Sequence, residues 1–376
     1  MTMHAKPAPE AVTTALVALQ QIFGARLQTG RAIREQHAHS VTWRAPQLPD
    51  AVVFPKDANE VSRIVKTCAA QNVPVIPFGA GTSVEGQVNA PFGGVAVSFR
   101  DMDQVLAIHP EDLDCVIQPG LTRMRLNEEL RASGLFFPID PGADASLGGM
   151  TGTSASGTNA VRYGTMKDAV LALEVVMPDG EIIRTARRAK KTSAGYDLTH
   201  LIVGAEGTLG LVTEITLRLH GIPEAIASAA CTFPNVTEAV RTAIETVQSG
   251  VPVARMEFLD AESVKAVNAY SNLTLPEAPM LLLEFHGSDA SVQEQAETVA
   301  ALAADHGSSG FDWTTEPEAR TRLWQARHDA YWAAVRMHPG KQGYSTDVCV
   351  PVSRLAEAGD AAAEEAARRD LAAPIL

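Results

Sequence analysis

Apolar residues recur along this chain with two periods, and each period predicts a kind of element. Leu16, Leu19, Ile22 and Phe23 fall near helical spacing and predict an amphipathic helix over residues 10–35. A second helix is predicted over 58–71, where Val61, Ile64, Val65 and Cys68 share a face and Asp57 stands at the cap. The stretch 36–56 between them is proline-rich and reads as irregular. Short apolar runs at 73–77, 94–99, 115–118, 172–177 and 181–184 read as strands. Pro178-Asp179-Gly180 makes a tight hairpin turn between the last two. Residues 211–219 alternate with period two and form the clearest strand pattern in the chain. Beyond 221–224 glycine becomes scarce and alanine-rich helices alternate with strands. Helices are predicted over 237–249, 292–306 and 355–373, and a strand over 280–285. This change of texture divides the chain into an N-terminal helical segment, 1–45, a first domain, 46–222, and a second, 223–376.

Composition narrows the picture modestly. A chain of 376 residues, 46% hydrophobic and 20% charged, has room for two ordinary globular domains. A net charge of −13 argues against nucleic acid as a partner. Cys68, Cys115, Cys231 and Cys349 form no CxxC pair and read as reduced core thiols. No apolar run approaches the roughly 18 residues of a membrane span, and the first ten residues lack the apolar core of a secretory signal. These features set the expectation of a cytoplasmic protein without a membrane span.

The chemistry lies in two glycine-rich stretches, 77–86 (PFGAGTSVEG) and 141–159 (PGADASLGGMTGTSASGTN). Stretches with so few bulky side chains bury little, but they offer bare backbone N–H groups and small hydroxyls to a phosphate. The spacing Gly79-x-Gly81-x-x-x-x-Gly86 does not match the GxGxxG fingerprint of nicotinamide dinucleotide folds. Pro74 and Pro77 disfavour a central parallel strand before it. Neither loop is followed by the Lys-Ser or Lys-Thr of a P-loop.

Together with 157–164 (GTNAVRYG), 191–198 (KTSAGYDL) and 203–213 (VGAEGTLGLVT), the first stretch resembles the FAD-linked oxidases of the vanillyl-alcohol oxidase type. Within them the chain is most similar to the branch of cytochrome-linked D-lactate dehydrogenase, the glycolate oxidase D-subunit and D-2-hydroxyglutarate dehydrogenase. The resemblance implies an α+β fold: an FAD-binding domain of two α/β subdomains (PCMH type) and an α+β substrate, or cap, domain. It implies that Phe78, Gly79, Ala80, Gly81, Thr82 and Ser83 hold the FAD pyrophosphate through backbone N–H groups. Asp140, Pro141, Gly142, Gly148, Gly149, Thr151, Gly152 and Ser154 would line the other side of the diphosphate and the ribityl chain. Gly157, Asn159 and Tyr163 would sit near the isoalloxazine, and Glu206, Gly207, Gly210 and Val212 near the adenine end and the ribityl chain. Some relatives bind FAD covalently through a histidine in the first loop. Thr82 stands in that region here, so FAD is expected to be non-covalent.

In the second domain, Arg320, Trp324, Arg327 and Tyr331 follow one another at i, i+4, i+7 and i+11, one stripe of a predicted helix. Guanidinium and aromatic groups on one stripe suit a carboxylate clamp, because arginine holds a carboxylate by two parallel bonds. A surface helix with a snorkelling arginine is the alternative. Residues 324–332 (WQARHDAYW) and 344–353 (YSTDVCVPVS) resemble the D-lactate dehydrogenase members, which implies that Arg327 holds the substrate carboxylate. Lys341 is a second candidate, and Tyr331 lies on the same stripe. Helix geometry turns His328 about 100° from Arg327, so one of the two faces away.

The resemblance implies oxidation of a D-2-hydroxy acid, D-lactate foremost, with hydride passing to the flavin and electrons to an external cytochrome, quinone or electron-transfer flavoprotein. It allows a homodimer and a peripheral place at the inner membrane. D-2-hydroxyglutarate or glycolate is the alternative substrate, and for the dicarboxylate Lys341 or Arg336 would meet the second carboxylate. A non-catalytic FAD-binding subunit or an inactive fragment is a further alternative. In the family the base and a divalent metal site, zinc or manganese, come from a later histidine-rich segment, so both are expected beyond Leu376. None of the ten histidines has metal-pair spacing; His37 and His39 are the nearest approach and read as non-ligands.

Overall fold

The computed structural model describes residues 6–189, 192–341, 343–371 and 373–375. Lys191, at the head of one family motif, and Leu376 lie outside the described residues. The chain divides into two compact units: residues 1–157 with 164–222, and residues 158–163 with 223–376.

Unit one opens with helix α1 (Pro9–Phe23), which buries Ala15, Leu19 and Phe23, one per turn. The single helix expected over 10–35 is corrected by the structure. Gly24 stops α1 with a φ of 53°, strand β1 (Leu27–Gln28) follows, and α2 (Arg31–Gln36) restarts after Gly30. Strand β2 (Ala51–Val53) lies inside the stretch read as irregular and is wholly buried. Helix α3 (Ala58–Ala69) forms where its pattern predicts, and the Asp57 side chain accepts the Glu60 N–H as its cap. Strands β3 (Val75–Phe78) and β4 (Val95–Ser98) complete a sheet ordered β1-β2-β4-β3, in which β2, β4 and β3 run parallel. Proline-bearing β3 takes the edge, where a missing N–H is tolerated.

The second sheet is antiparallel. Its strands are β5 (Val105–His109), β6 (Asp114–Ile117), β8 (Val170–Val176), β9 (Ile182–Arg184) and β10 (Leu211–Arg218), ordered β5-β6-β10-β8-β9. Strand β10 sits between β6 and β8, and its buried Ile215 pairs with Ile117 and Leu173. Gly180, at φ 80°, closes the β8–β9 hairpin. Short elements finish the unit: β7 (Leu135–Phe136) pairs with β11 (His220–Gly221), and α4 (Arg123–Leu130), α5 (Leu147–Gly152), α7 (Met166–Ala169) and α8 (Leu198–Ile202) pack around the sheet. The intervening α6 (Ala160–Tyr163) belongs to unit two.

Unit two is built on an antiparallel sheet of β12 (Ala225–Thr232), β13 (Val253–Leu259), β14 (Met280–Gly287) and β15 (Ser309–Thr314), ordered β13-β14-β12-β15. Side chains alternate across it. Ala227, Ala229, Cys231, Leu281, Leu283 and Phe285 face a core with helices α9 (Val236–Gln248) and α11 (Asp289–Asp305). On the other face Met280 and Leu282 pack with Trp324 of α12 (Pro317–Arg336). Helix α10 (Ala261–Ser271) packs on α12 through Ala266, Val267, Ala326, Ala330 and Ala333, small enough for close approach. Helix α13 (Leu355–Arg368) ends short of the expected 373.

Three of the four cysteines are core thiols: burial pushes Cys68, Cys115 and Cys231 each up to about 12. Cys349 is exposed, which corrects its reading as a core residue. It follows the polar, low-burial stretch after α12.

His306, at the end of α11, lies 2.9 Å from Glu238 Oε2 and 3.1 Å from Glu245 Oε2, both on α9. Burial disfavours its charged form, but the hydrogen bonds and charges of the two glutamates outweigh that and raise its pKa. The bridge therefore contributes fully below the unfolded value near 6.5 and is lost as pH rises through the folded one. His306→Ala is expected to destabilise unit two more at pH 6 than at pH 9. Urea denaturation at both pH values checks this, and an equal loss at both would contradict it.

Candidate functional site

The glycine-rich stretches of unit one converge. Phe78 ends β3 and is buried, and Gly79, Ala80, Gly81, Thr82 and Ser83 leave it as a loop of which all but Ala80 are half-buried. A Cβ on Gly79 would strike Ser146 Oγ and lie 3.7 Å from Gly149 Cα, so the first loop runs against the start of α5. Gly148, within α5, packs on Pro119, where a Cβ would lie 2.8 Å from the Pro119 carbonyl oxygen. Thr151 is fully buried, and its carbonyl accepts Gly204 N–H at 3.0 Å, while the Gly152 carbonyl accepts Glu206 N–H at 2.9 Å. Gly207 presses on Pro77. Ser154 and Glu206 both adopt left-handed backbone, at φ 49° and 52°, without being glycine. Such strain persists only where the surroundings hold it and gathers at functional sites.

Other predicted residues lie around this junction. Pro141 and Gly142 are half-buried and exposed, and no atom lies within 4 Å of a Cβ built on Gly142. Gly157 abuts Asp140 so closely that a Cβ would lie 2.5 Å from the Asp140 carbonyl carbon. Gly210 is buried behind Val175 and Val176. Val212 stands in β10 with its side chain against the apolar core.

These residues fit an FAD diphosphate. The Ser146 hydroxyl is buried and has no hydrogen-bond partner among the described residues. An orphaned donor is costly unless a ligand or water meets it. It lies beside Gly79 and Gly149, where the backbone is bare.

Asn159 and Tyr163 belong to unit two, in and beside α6. They join a polar network on the sheet face opposite α9 and α11. Arg255 Nε on β13 donates to Asn159 Oδ1 at 3.0 Å and lies 3.2 Å from Glu284 Oε1 on β14. His286 joins Glu284 Oε1 at 2.9 Å through Nε2 and the Tyr163 hydroxyl at 2.8 Å through Nδ1. Ser228 Oγ donates to Glu284 Oε2 at 3.1 Å and accepts from Trp324 Nε1 at 3.0 Å. The Arg255 guanidinium lies over the Trp324 ring, 4.9 Å from its centroid. Arg162 donates to the carbonyls of Pro252 and His286. Burial pushes the Tyr163 phenol up, so it stays protonated at neutral pH.

The stripe on α12 divides by burial. Trp324 is core, Arg327 is half-buried with its Nε 2.6 Å from Glu257 Oε2 on β13, and His328 faces outward as an exposed residue. Tyr331 is half-buried, stacks edge-on with Trp332 and has its hydroxyl beside Gly343. Lys341 and Arg336 are exposed. His37 is a core residue: it is buried between Phe54 and Phe78 with Nδ1 2.8 Å from the Ile33 carbonyl. Among the described residues no group of three or more His, Cys, Asp or Glu is placed to hold a metal ion. Among them no helix is long and apolar enough to cross a membrane.

Sequence reasoning missed Ser228, Arg255, Glu257, Glu284 and His286. One signal was present: a glutamate and a histidine two apart inside the apolar run 280–287, where a strand core does not accept charge without partners.

Comparison with known proteins follows the same division. Residues 49–186 match the model of an FAD binding domain, and residues 222–375 that of the C-terminal domain of FAD linked oxidases. The chain is 53% identical over 332 residues to the probable mitochondrial D-lactate dehydrogenase of Danio rerio, covering 88% of this chain and 67% of that one. It is 49% identical to the mitochondrial D-lactate dehydrogenase [cytochrome] of Arabidopsis thaliana, covering 84% of this chain and 55% of the relative. Glycolate oxidase subunit GlcD of Bacillus subtilis is 32% identical, with 89% and 72% covered. The chain thus spans between about half and two thirds of the length of the first two relatives. Among solved structures, an alkyldihydroxyacetonephosphate synthase superposes with a TM-score of 0.69 at 23% identity, covering 89% of this chain and 66% of that one. These neighbours share the fold, α+β with a PCMH-type FAD-binding domain.

Proposed function

From a chain that belongs to the FAD-linked oxidases, in the branch of D-lactate dehydrogenase and the glycolate oxidase D-subunit, we propose FAD-dependent oxidation of D-lactate to the 2-oxo acid. FAD, when bound, supplies the two-electron acceptor for the hydrogen on C2. The loop 78–83 holds its diphosphate by backbone N–H groups, and residues from Asp140 to Ser154 line the other side of the diphosphate and the ribityl chain, with the Ser146 hydroxyl donating where it is now orphaned. Glu206, Gly207, Gly210 and Val212 form the wall for its adenine end and ribityl chain. Gly157, Asn159 and Tyr163 serve the isoalloxazine. Asn159 is held in place by Arg255, and Tyr163 by His286. No histidine lies in the first loop, so the cofactor is held without a covalent bond.

Arg327 carries the substrate reading. It is a half-buried guanidinium on a polar sheet face, and D-lactate presents one carboxylate to it. Tyr331 and Lys341 are the secondary candidates along the same segment. The electrons leave to an acceptor outside this chain: a cytochrome, a quinone or an electron-transfer flavoprotein. The test is anaerobic addition of D-lactate to the FAD-loaded protein. A shift of the visible flavin spectrum by D-lactate and not by L-lactate is expected, reporting binding beside the flavin, and Arg327→Ala should raise the concentration needed at least about tenfold. Tightly bound FAD whose spectrum no 2-hydroxy acid shifts would overturn the reading and favour a non-catalytic FAD-binding subunit.

A further inference from the structure

Arg327 is not a lone cation awaiting substrate. Its Nε already donates to Glu257 Oε2 at 2.6 Å, with the two side chains 26% and 18% exposed. A guanidinium offers a carboxylate two bidentate edges, one through Nε and one through its two terminal nitrogens. Glu257 takes Nε, which leaves the end-on edge.

We propose that Glu257 is a positioning and specificity-determining residue: it fixes Arg327 end-on to a single carboxylate and turns away substrates carrying a second. This rests on the reading of Arg327 given above and names the substrate class, 2-hydroxy monocarboxylates.

The charges on this face support it. In the network Arg162, Arg255 and Arg327 outnumber Glu257 and Glu284, which leaves it able to receive a substrate carboxylate. A second carboxylate would find the other guanidiniums already engaged. Arg255 is bonded to Asn159 and paired with Glu284, and Arg162 is bonded to two carbonyls. Arg336 and Lys341, the side chains a dicarboxylate would need, are exposed. Meanwhile the Glu257 carboxylate disfavours further negative charge beside Arg327, and a dicarboxylate brings twice the charge that D-lactate does.

The experiment measures Kd for D-lactate and for D-2-hydroxyglutarate on the FAD-loaded protein, by perturbation of the flavin spectrum and by calorimetry. Wild type is expected to prefer D-lactate by about tenfold or more. Glu257→Gln keeps an acceptor for Nε but removes the charge. It should hold D-lactate within about threefold of wild type and tighten D-2-hydroxyglutarate about tenfold. Glu257→Ala releases the guanidinium and should weaken D-lactate about tenfold. An unchanged selectivity ratio in Glu257→Gln, or unchanged D-lactate binding in Glu257→Ala, overturns the role of Glu257 alone. A wild type that binds neither acid overturns the reading of Arg327 and this inference with it.

Discussion

Replacing Glu284 with alanine is expected to destabilise unit two by about 3–5 kcal/mol, the range found when one partner of a buried ion pair is removed. Glu284 is 4% exposed and holds together the half-buried Arg255 and two buried groups, His286 and Ser228. Its truncation takes the carboxylate from the half-buried Arg255 guanidinium and unseats the Ser228 hydroxyl that accepts from Trp324. Glu284→Gln keeps the shape and one acceptor oxygen and should cost less than half as much. The sign with pH follows from its environment. Burial alone disfavours the carboxylate, but the His286 hydrogen bond and the charge of Arg255 outweigh it and hold Glu284 below the usual range. Its contribution is therefore complete above the unfolded value of about 4.3 and is lost as pH falls through the folded one, so the gap between variant and wild type narrows in acid. Urea unfolding followed by tryptophan fluorescence checks both points, since Trp324 is bonded into the network. A loss under about 1 kcal/mol at neutral pH would show that the sheet face does not depend on its buried carboxylate.

The glycine loops were legible in the sequence because their signal is local: small residues in a row, in a fixed order. Strands β3, β4, β6, β8, β9 and β10 of unit one were legible for a related reason, since Val, Ile and Leu runs such as β8 and β10 advertise both propensity and burial, whereas β1, β2, β5, β7 and β11 were not. Strand β12 was not. Its sequence, AIASAACT, contains only one strongly strand-forming aliphatic residue, and its place between β14 and β15 comes from small side chains that let α11 approach. The break of the first helix at Gly24 depended on a positive φ that sequence does not announce. The network around Glu284 was hidden because its members are distant along the chain; Tyr163 and His286, for example, are 123 residues apart. Each residue alone looks like an ordinary exposed polar side chain or a stray core histidine. Only the pairing of β13 with β14 and the docking of α6 and α12 on that face bring them together.

Gly157→Ala is expected to weaken FAD binding by about 10- to 100-fold, whereas Gly142→Ala should leave the folded protein without cofactor as stable as wild type. Both glycines belong to the loops assigned to the cofactor, yet their surroundings differ. A Cβ at Gly157 would lie 2.5 Å from both the carbonyl carbon and Oδ1 of Asp140, and 2.6 Å from its carbonyl oxygen. Two of those three atoms are backbone, so rotation of a side chain cannot relieve the overlap; one of the two segments must move. Overpacking of this kind costs about 1–3 kcal/mol. If the segments stay put, the cost appears as lower stability of the apo-protein. If they separate, the residues flanking Asp140 and Gly157 lose their spacing and the cofactor loses the geometry it needs. At Gly142 a Cβ meets no atom within 4 Å and the backbone is not left-handed, so the fold bears no cost there. Any loss of FAD affinity in Gly142→Ala would then report the cofactor itself meeting the added methyl. Flavin content after purification, FAD affinity by quenching of flavin fluorescence, and the Tm of the apo-protein separate these outcomes. A Gly157→Ala protein with wild-type FAD affinity and wild-type apo Tm would show that the approach of Gly157 to Asp140 is not what shapes the cofactor loops.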